Sequence, residues 1–402
     1  MRFPCTPGRW AAATVLGSTL GLSLPACSDE PASSAPQPLI RATTLQDDAS
    51  KLPSTPGAYE WWNFFAEDDD EDISVSVIFL AADPFNVDYR RAVHAHLENP
   101  DTVPAPSPSD YHLLQIAVTV DGKKKFVRLF DRPGTQVEFS TTEAYGRIGQ
   151  STFRGSIEEG VKTYHIEVDA KDTGDKLRFE ADLVLTAGAP GFTVTGEGLY
   201  AGLPDGAQHA WQFPIARPRS EGTIRVTNSE GEVVVDREVR GGGYVDHMWG
   251  SGLAGNVIAS WHFATVDLRD EGSMVYVWLT PAEAGAEPTG YVFRVRDGEL
   301  ASGYPIAALT SSETGMGSFD LPYDADYTLQ LEGGGTVRCR FGEKLGEDWP
   351  FQVAGPANFW IDIPGDVQLN EVPGVGEYLW QPGIDSEAYA EMFDMLTEVA
   401  GQ

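Results

Sequence analysis

Apolar and polar residues alternate with a period of two over most of the chain between residues 58 and 380, the pattern of strands that keep one face on a core. Ile73-Ser74-Val75-Ser76-Val77 alternates cleanly, and runs at 112–120 and 126–130 flank Asp121-Gly122, a hairpin turn pair. Further strands are predicted at 164–170, 177–185, 223–227, 232–235, 257–266, 274–279, 291–295, 327–331 and 336–341. With 43 glycines and 27 prolines between them, the chain reads as all-β, built of antiparallel sheets in sandwiches or barrels. The one helical pattern comes last. Tyr389, Met392, Phe393, Leu396 and Val399 share a helix face, and Asp385 stands where it could cap the first turn.

The start of the chain follows a different rule. Arg2 and Arg9, an apolar run at 10–24 and then Leu24-Pro25-Ala26-Cys27 form a secretory signal whose end resembles a bacterial lipobox. Residues 1–27 are therefore expected to be a lipoprotein-type signal, with Cys27 lipidated and 28–50 a flexible tether. The alternative is plain secretion. Either places the protein outside the cytoplasm, at the cell envelope or secreted, and lipidation would make the acyl chain its contact to the membrane. Phe213-Pro214-Ile215-Ala216-Arg217-Pro218 interrupts the strand rhythm. It divides the remainder into β domains at 51–216 and 217–382, followed by a helical segment at 383–402. A weak repeat supports the division: Trp62-Asn63-Phe64-Phe65, an acidic turn and an apolar strand are echoed by Trp261-His262-Phe263, Asp267 to Glu271 and a second apolar strand.

Charge and cysteine usage narrow the partners. Asp and Glu number 60 against 28 Lys and Arg, a net charge of -32, which disfavours nucleic acid and anionic lipid surfaces. Cys5, Cys27 and Cys339 are the only cysteines, two of them in the signal, so no disulfide framework is expected. The acids at 67–72 lack the alternating ligand spacing of a calcium loop and read as a hairpin tip. His94-Ala95-His96 would put two imidazoles on one face of a strand, yet Asn99-Pro100 and Pro104 mark a loop and no third ligand is evident. No metal is expected there.

The densest chemistry lies in Gly243-Tyr244-Val245-Asp246-His247-Met248-Trp249-Gly250. In an extended chain Tyr244, Asp246 and Met248 face one way and Val245, His247 and Trp249 the other. Asp246 either holds backbone amides in a glycine-rich turn or, buried among apolar groups, stays protonated and acts as an acid. Trp249 and Trp261 are core aromatics or the walls of a ligand cavity. Glu60 is placed to orient His247 or to pair with Arg217, and His262 reads as a hydrogen-bonded core histidine.

Together with Tyr59-Glu60-Trp61-Trp62-Asn63-Phe64, the acidic turn after it and Asp83-Pro84-Phe85, the central peptide resembles the signature of the carotenoid 1,2-hydratase (hydroxyneurosporene synthase) family. That family is one of a wider group of tandem lipocalin-like proteins that includes fungal Diels-Alderase-type cyclases. The resemblance implies two lipocalin-like β domains and a hydrophobic carotenoid or terpenoid ligand. It also implies a lyase that hydrates the ligand, or isomerises it, by acid catalysis without a cofactor. On this resemblance Asp246, His247, Trp249, Tyr276 and Asp267 are the catalytic candidates. Glu60, Trp61, Trp62, Tyr244, Trp261 and Trp278 would line the ligand. The sequence departs from the family where Val245 and Met248 stand for a usual histidine and asparagine, and where Tyr276-Val277-Trp278 lacks an acid. The other function these residues allow is a binding protein that shields an apolar ligand at the envelope.

Overall fold

The computed structural model describes residues 40–68, 73–120, 123–131, 134–171, 177–194, 209–317, 319–342 and 347–399. Its longest strand, Val233–Gly250, organises the first of two sheets. The first half of this strand pairs with Arg219–Thr227, beyond which lie Arg178–Thr186, Val161–Lys171, Ser151–Glu158, Tyr145–Ile148 and Val137–Phe139. Its second half pairs on one side with Tyr59–Glu67, leading through Ile73–Ala82 and Leu113–Val120 to Lys123–Asp131. On the other side it pairs with His209–Phe213. These pairings are antiparallel, and Val161–Lys171 alternates buried and solvent-facing residues almost throughout, as a strand with one wet face must.

Gly241, Gly242 and Gly243, expected to allow a sharp turn or a close backbone approach, lie inside the long strand. A Cβ on Gly243 would come 2.7 Å from the Phe65 carbonyl oxygen. Glycine thus lets the strand press close to its neighbour where it exchanges one partner for another.

The second sheet closes on itself. Ile258–Asp267, Ser273–Pro281, Thr289–Val295, Ser302–Met316, Pro322–Leu331, Thr336–Phe341, Gln352–Ile363 and Val367–Trp380 form an eight-stranded antiparallel barrel. Eight strands enclose a space that side chains can fill. The protein is thus all-β, with two lipocalin-like domains, one a closed barrel and one an open half-barrel, followed by a C-terminal helix. The change of sheet falls between Gly250 and Ile258, so the expected division at 216/217 lies within the first sheet. Pro214 to Pro218 interrupts a strand rhythm without ending a domain; Arg217 takes a left-handed backbone and reaches Asp297 of the barrel at 2.9 Å.

Three large apolar clusters and a small one around Tyr89, Val93 and Leu253 result among the described residues. One fills the half-barrel around Trp62, Phe64, Phe79, Phe153 and Tyr164. Another fills the closed barrel around Tyr276, Tyr327, Leu329 and Phe359. The third lies between the sheets and joins Tyr59, Trp61, Trp211, Tyr244 and Met248 of the first to Trp261, Phe263 and Phe293 of the second. Helix Glu387–Leu396 docks on this third cluster through Tyr389, Met392, Phe393 and Leu396. Its cap is Ser386, whose hydroxyl accepts from Tyr389 N at 3.2 Å; Asp385, one residue too early, pairs with Arg90 at 2.8 Å. The chain then returns to the first sheet, where Thr397–Val399 runs parallel to residues 129–131.

Two expectations along the chain change. Residues 40–50 are no tether, because Ile40–Ala42 pairs with Phe192–Val194 and Asp48 is buried. Residues 1–39, with Cys27 and the signal, lie outside the described residues, as do Asp121-Gly122 and the acids at 69–72. The segment read as a loop around His94 is the helix Val87–Glu98, capped by Asn86, whose side chain accepts from Tyr89 N at 3.0 Å. Only Tyr89 and Val93 are apolar and buried on it, too few to set a helical period. Among the described residues no helix is long and apolar enough to cross a membrane.

Candidate functional site

Antiparallel pairing makes the two faces of the central strand chemically distinct. Tyr244, Asp246 and Met248 point into the cluster between the sheets, and His247 points into the half-barrel. Asp246 is buried, and its Oδ2 accepts from the Tyr244 hydroxyl at 2.9 Å. Its Oδ1 has no hydrogen-bond partner among the described residues. Burial pushes this carboxyl up to about 8 against the pull of the Tyr244 hydrogen bond, and the charge of Glu377 pushes the same way.

The surrounding groups come from both domains. Trp211, brought alongside by the pairing of His209–Phe213 with residues 247–250, donates from Nε1 to the Tyr244 oxygen at 3.3 Å. Its ring stacks on Phe263 at 5.3 Å and meets Trp261 edge-on at 6.0 Å, both from the barrel. Trp261 donates from Nε1 to Glu377 at 2.7 Å, and Glu377 lies directly across from Phe263 in the barrel wall. At the far end of the same face the Tyr59 hydroxyl meets His209 Nδ1 at 2.5 Å, while His209 Nε2 has no partner among the described residues. Complete burial depresses His209 to about 3, so its ring is neutral at physiological pH.

The expected acid–base pair is not assembled. His247 is bonded through Nε2 to Glu60 at 2.8 Å and stacked on Trp62 at 4.3 Å, on the opposite side of the strand from Asp246. Glu60 also accepts from Lys51 N and the Ser50 hydroxyl, each at 2.6 Å. Beside it Asp48 accepts from Tyr164 and Gln212 at 2.8 Å and is ion-paired with Lys162. Glu60 and His247 therefore pin residues 48–51 onto the half-barrel, and the Glu60–Arg217 pair does not form. Trp249 lies on the His247 side, with Lys51 Nζ over its ring at 5.4 Å.

Other candidates are also elsewhere. Tyr276 and Trp278 fill the closed barrel, where the Tyr276 and Tyr327 hydroxyls meet and Cys339 is buried. Asp267 is exposed and accepts from Arg269 N at 2.8 Å, closing a hairpin turn. His262 is buried and bonded to Asp324 at 2.8 Å. His94 and His96 sit two residues apart on a helix, hence on different sides of it, and His96 Nδ1 bonds the Val103 carbonyl at 2.8 Å. Among the described residues no group of three or more His, Cys, Asp or Glu is placed to hold a metal ion. Of the eleven proposed side chains, Asp246, Tyr244, Trp61 and Trp261 meet between the sheets. Trp211, Glu377 and His209 were missed; His209-Ala210-Trp211-Gln212-Phe213 carries a period-two aromatic signal, whereas nothing around Glu377 marks it.

No family model matches the chain. It is 24% identical over 348 residues to the hydroxyneurosporene dehydrogenase of Chlorobaculum tepidum, covering 85% of this chain and 87% of that protein. That name denotes removal of hydrogen, where the resemblance noted above implied addition of water. Among solved structures, a Nitrosomonas europaea protein described as AttH superposes with a TM-score of 0.53 at 14% identity, over 85% of this chain and 98% of its own. CghA with Sch210972 gives 0.52 at 13%, over 85% and 99%, and kievitone hydratase from Nectria haematococca gives 0.50 at 11%, over 84% and 93%. This chain shares its overall fold with these three solved structures.

Proposed function

We propose that the protein takes an apolar, unsaturated polyene or terpenoid between its two β domains and hydrates or isomerises it with Asp246 as the acid. One observation carries this reading: a buried carboxyl held up to about 8, bonded through one oxygen and walled by Trp211, Tyr244 and Phe263. At neutral pH such a group is uncharged. Since Oδ2 accepts from Tyr244, the carboxyl proton sits on the unpartnered Oδ1 and is free to leave.

Transfer of that proton to the less substituted carbon of a double bond breaks the π bond and the Oδ1–H bond. It leaves a tertiary cation beside the Asp246 carboxylate. The aromatic faces stabilise the cation while excluding bulk water. A water oxygen then bonds to the cation and its proton returns to Asp246, giving an alcohol and restoring the acid. Loss of a neighbouring C–H proton to the same carboxylate gives the isomer instead. Neither route consumes an oxidant, unlike the dehydrogenation in the relative's name.

The second reading is a carrier that binds the same ligand unchanged, and the turn of His247 away from Asp246 favours it. Incubation with farnesol and farnesene in heavy-oxygen water and in heavy water, followed by mass spectrometry, separates the readings. Heavy oxygen in the product marks a hydratase, and deuterium on carbon alone an isomerase. Unchanged ligand recovered from the protein marks a carrier, and loss of hydrogen marks a dehydrogenase. Asp246→Asn is expected to lower turnover at least ~100-fold with ligand still bound. Undiminished turnover in that variant would remove Asp246 from the chemistry.

A further inference from the structure

We infer that His209 is a second, oxygen-recognising pole of the inter-domain site. The ligand it selects is a linear isoprenoid bearing a hydroxyl or carbonyl oxygen about one sesquiterpene length from the double bond that Asp246 protonates. This inference rests on Asp246 as the reacting end, as proposed above. Among the described residues, Asp246 Oδ1 and His209 Nε2 are buried polar atoms without partners, and both belong to the face between the sheets. Buried donors and acceptors are nearly always met, by protein, water or ligand.

The sheet register sets their separation. His209 stands opposite Gly250, four residues along the central strand from Asp246, or roughly 13 Å at ~3.3 Å per residue. Between the two poles lie Trp211 and Met248, paired across the sheet, with Trp61 on the other side of Met248. All three are buried. The middle of the ligand is therefore apolar. An extended hydrocarbon advances roughly 1.25 Å per bond, given single bonds of ~1.5 Å, so the span corresponds to about ten bonds.

The polarity of the His209 pole follows from Tyr59. The Tyr59 hydroxyl has no acceptor other than His209 Nδ1 among the described residues, so meeting its proton requires Tyr59 to donate. Nε2 then carries the ring hydrogen and donates toward the ligand. Because burial keeps the ring neutral, it suits an uncharged oxygen better than a carboxylate. Gly250 makes this arrangement possible, since a side chain there would occupy the Tyr59 ring.

Quenching of tryptophan fluorescence by farnesol, farnesene and geraniol tests the inference. Farnesol has both the oxygen and the length, farnesene lacks the oxygen, and geraniol is one isoprene unit short. Wild type is expected to bind farnesol about tenfold tighter than either. His209→Phe should erase the preference for farnesol over farnesene, and His209→Gln, which restores an N–H donor, should recover it. Equal affinities in wild type, or a preference that survives in a folded His209→Phe, overturn the inference. In Asp246→Asn the preference should persist, so the two ends fail separately. A farnesol preference without turnover sinks the acid and keeps the pole. Turnover with no preference sinks the pole and keeps the acid. A wild type that binds none of the three sinks both.

Discussion

At the scale of single residues, the energetic cost of burial and the proposed chemistry coincide in Asp246. Its folded value of about 8 lies above an ordinary carboxyl near 3.8. Between these limits the folded chain keeps a proton that the unfolded chain releases. Stability contributed by this group is therefore complete below about pH 4 and falls by ~1.4 kcal/mol per pH unit until it is lost above about pH 8. His209 has the opposite sign: held near 3 rather than 6.5, it withdraws stability as pH falls through the range between. Asp246→Asn should thus melt higher than wild type above about pH 6 and lose the alkaline slope, as thermal melts between about pH 5 and pH 8.5 would show. An unchanged slope would mean that Asp246 titrates normally. Glu377→Gln removes the charge that helps hold Asp246 up, so the alkaline fall in turnover should move to lower pH. The acid in the central peptide was legible because a carboxylate among aromatics has few roles. Its surroundings were not, since His247 faces the other side of the strand and the groups packed around Asp246 come largely from other strands.

Strands and helices show how local pattern becomes position. The central strand keeps two environments apart, a histidine hydrogen-bonded to Glu60 on one side and a buried carboxyl on the other, only because it runs unbroken through Gly241, Gly242 and Gly243 to Gly250. Gly250→Ala would drive a methyl into the Tyr59 ring, which is itself held by His209. A loss of about 1–3 kcal/mol is expected, measured by denaturant unfolding, together with weakened farnesol binding. Stability within error of wild type would show that the Tyr59 ring can move aside. Period-two alternation predicted the strands in this region and the sidedness of Tyr244, Asp246 and Met248. The helix Val87–Glu98 escaped because two buried apolar residues define no period; the Asn86 cap was its only sequence mark.

For the whole molecule, the cluster between the sheets matters more than either domain interior, because it holds the candidate site and receives the C-terminal helix. Phe393→Ala removes a buried ring at the edge of that cluster and should cost about 3 kcal/mol. Calorimetry should show one cooperative transition, shifted down, for both domains together. Two resolved transitions in wild type would mean that the shared cluster does not couple them. By itself the sequence determined the all-β class, the closing helix, the two-domain plan and the faces of the central strand, because periodicity records which side of an element meets a core. The tertiary structure decided that the domains meet at Gly250 and Ile258 and that Glu60 serves His247. It also decided that Trp211 and Glu377 come to Tyr244 and Trp261 beside Asp246 while Tyr276 and Asp267 lie elsewhere. Those are contacts between strands far apart in the chain, and only hydrogen-bond register and sheet closure bring them together.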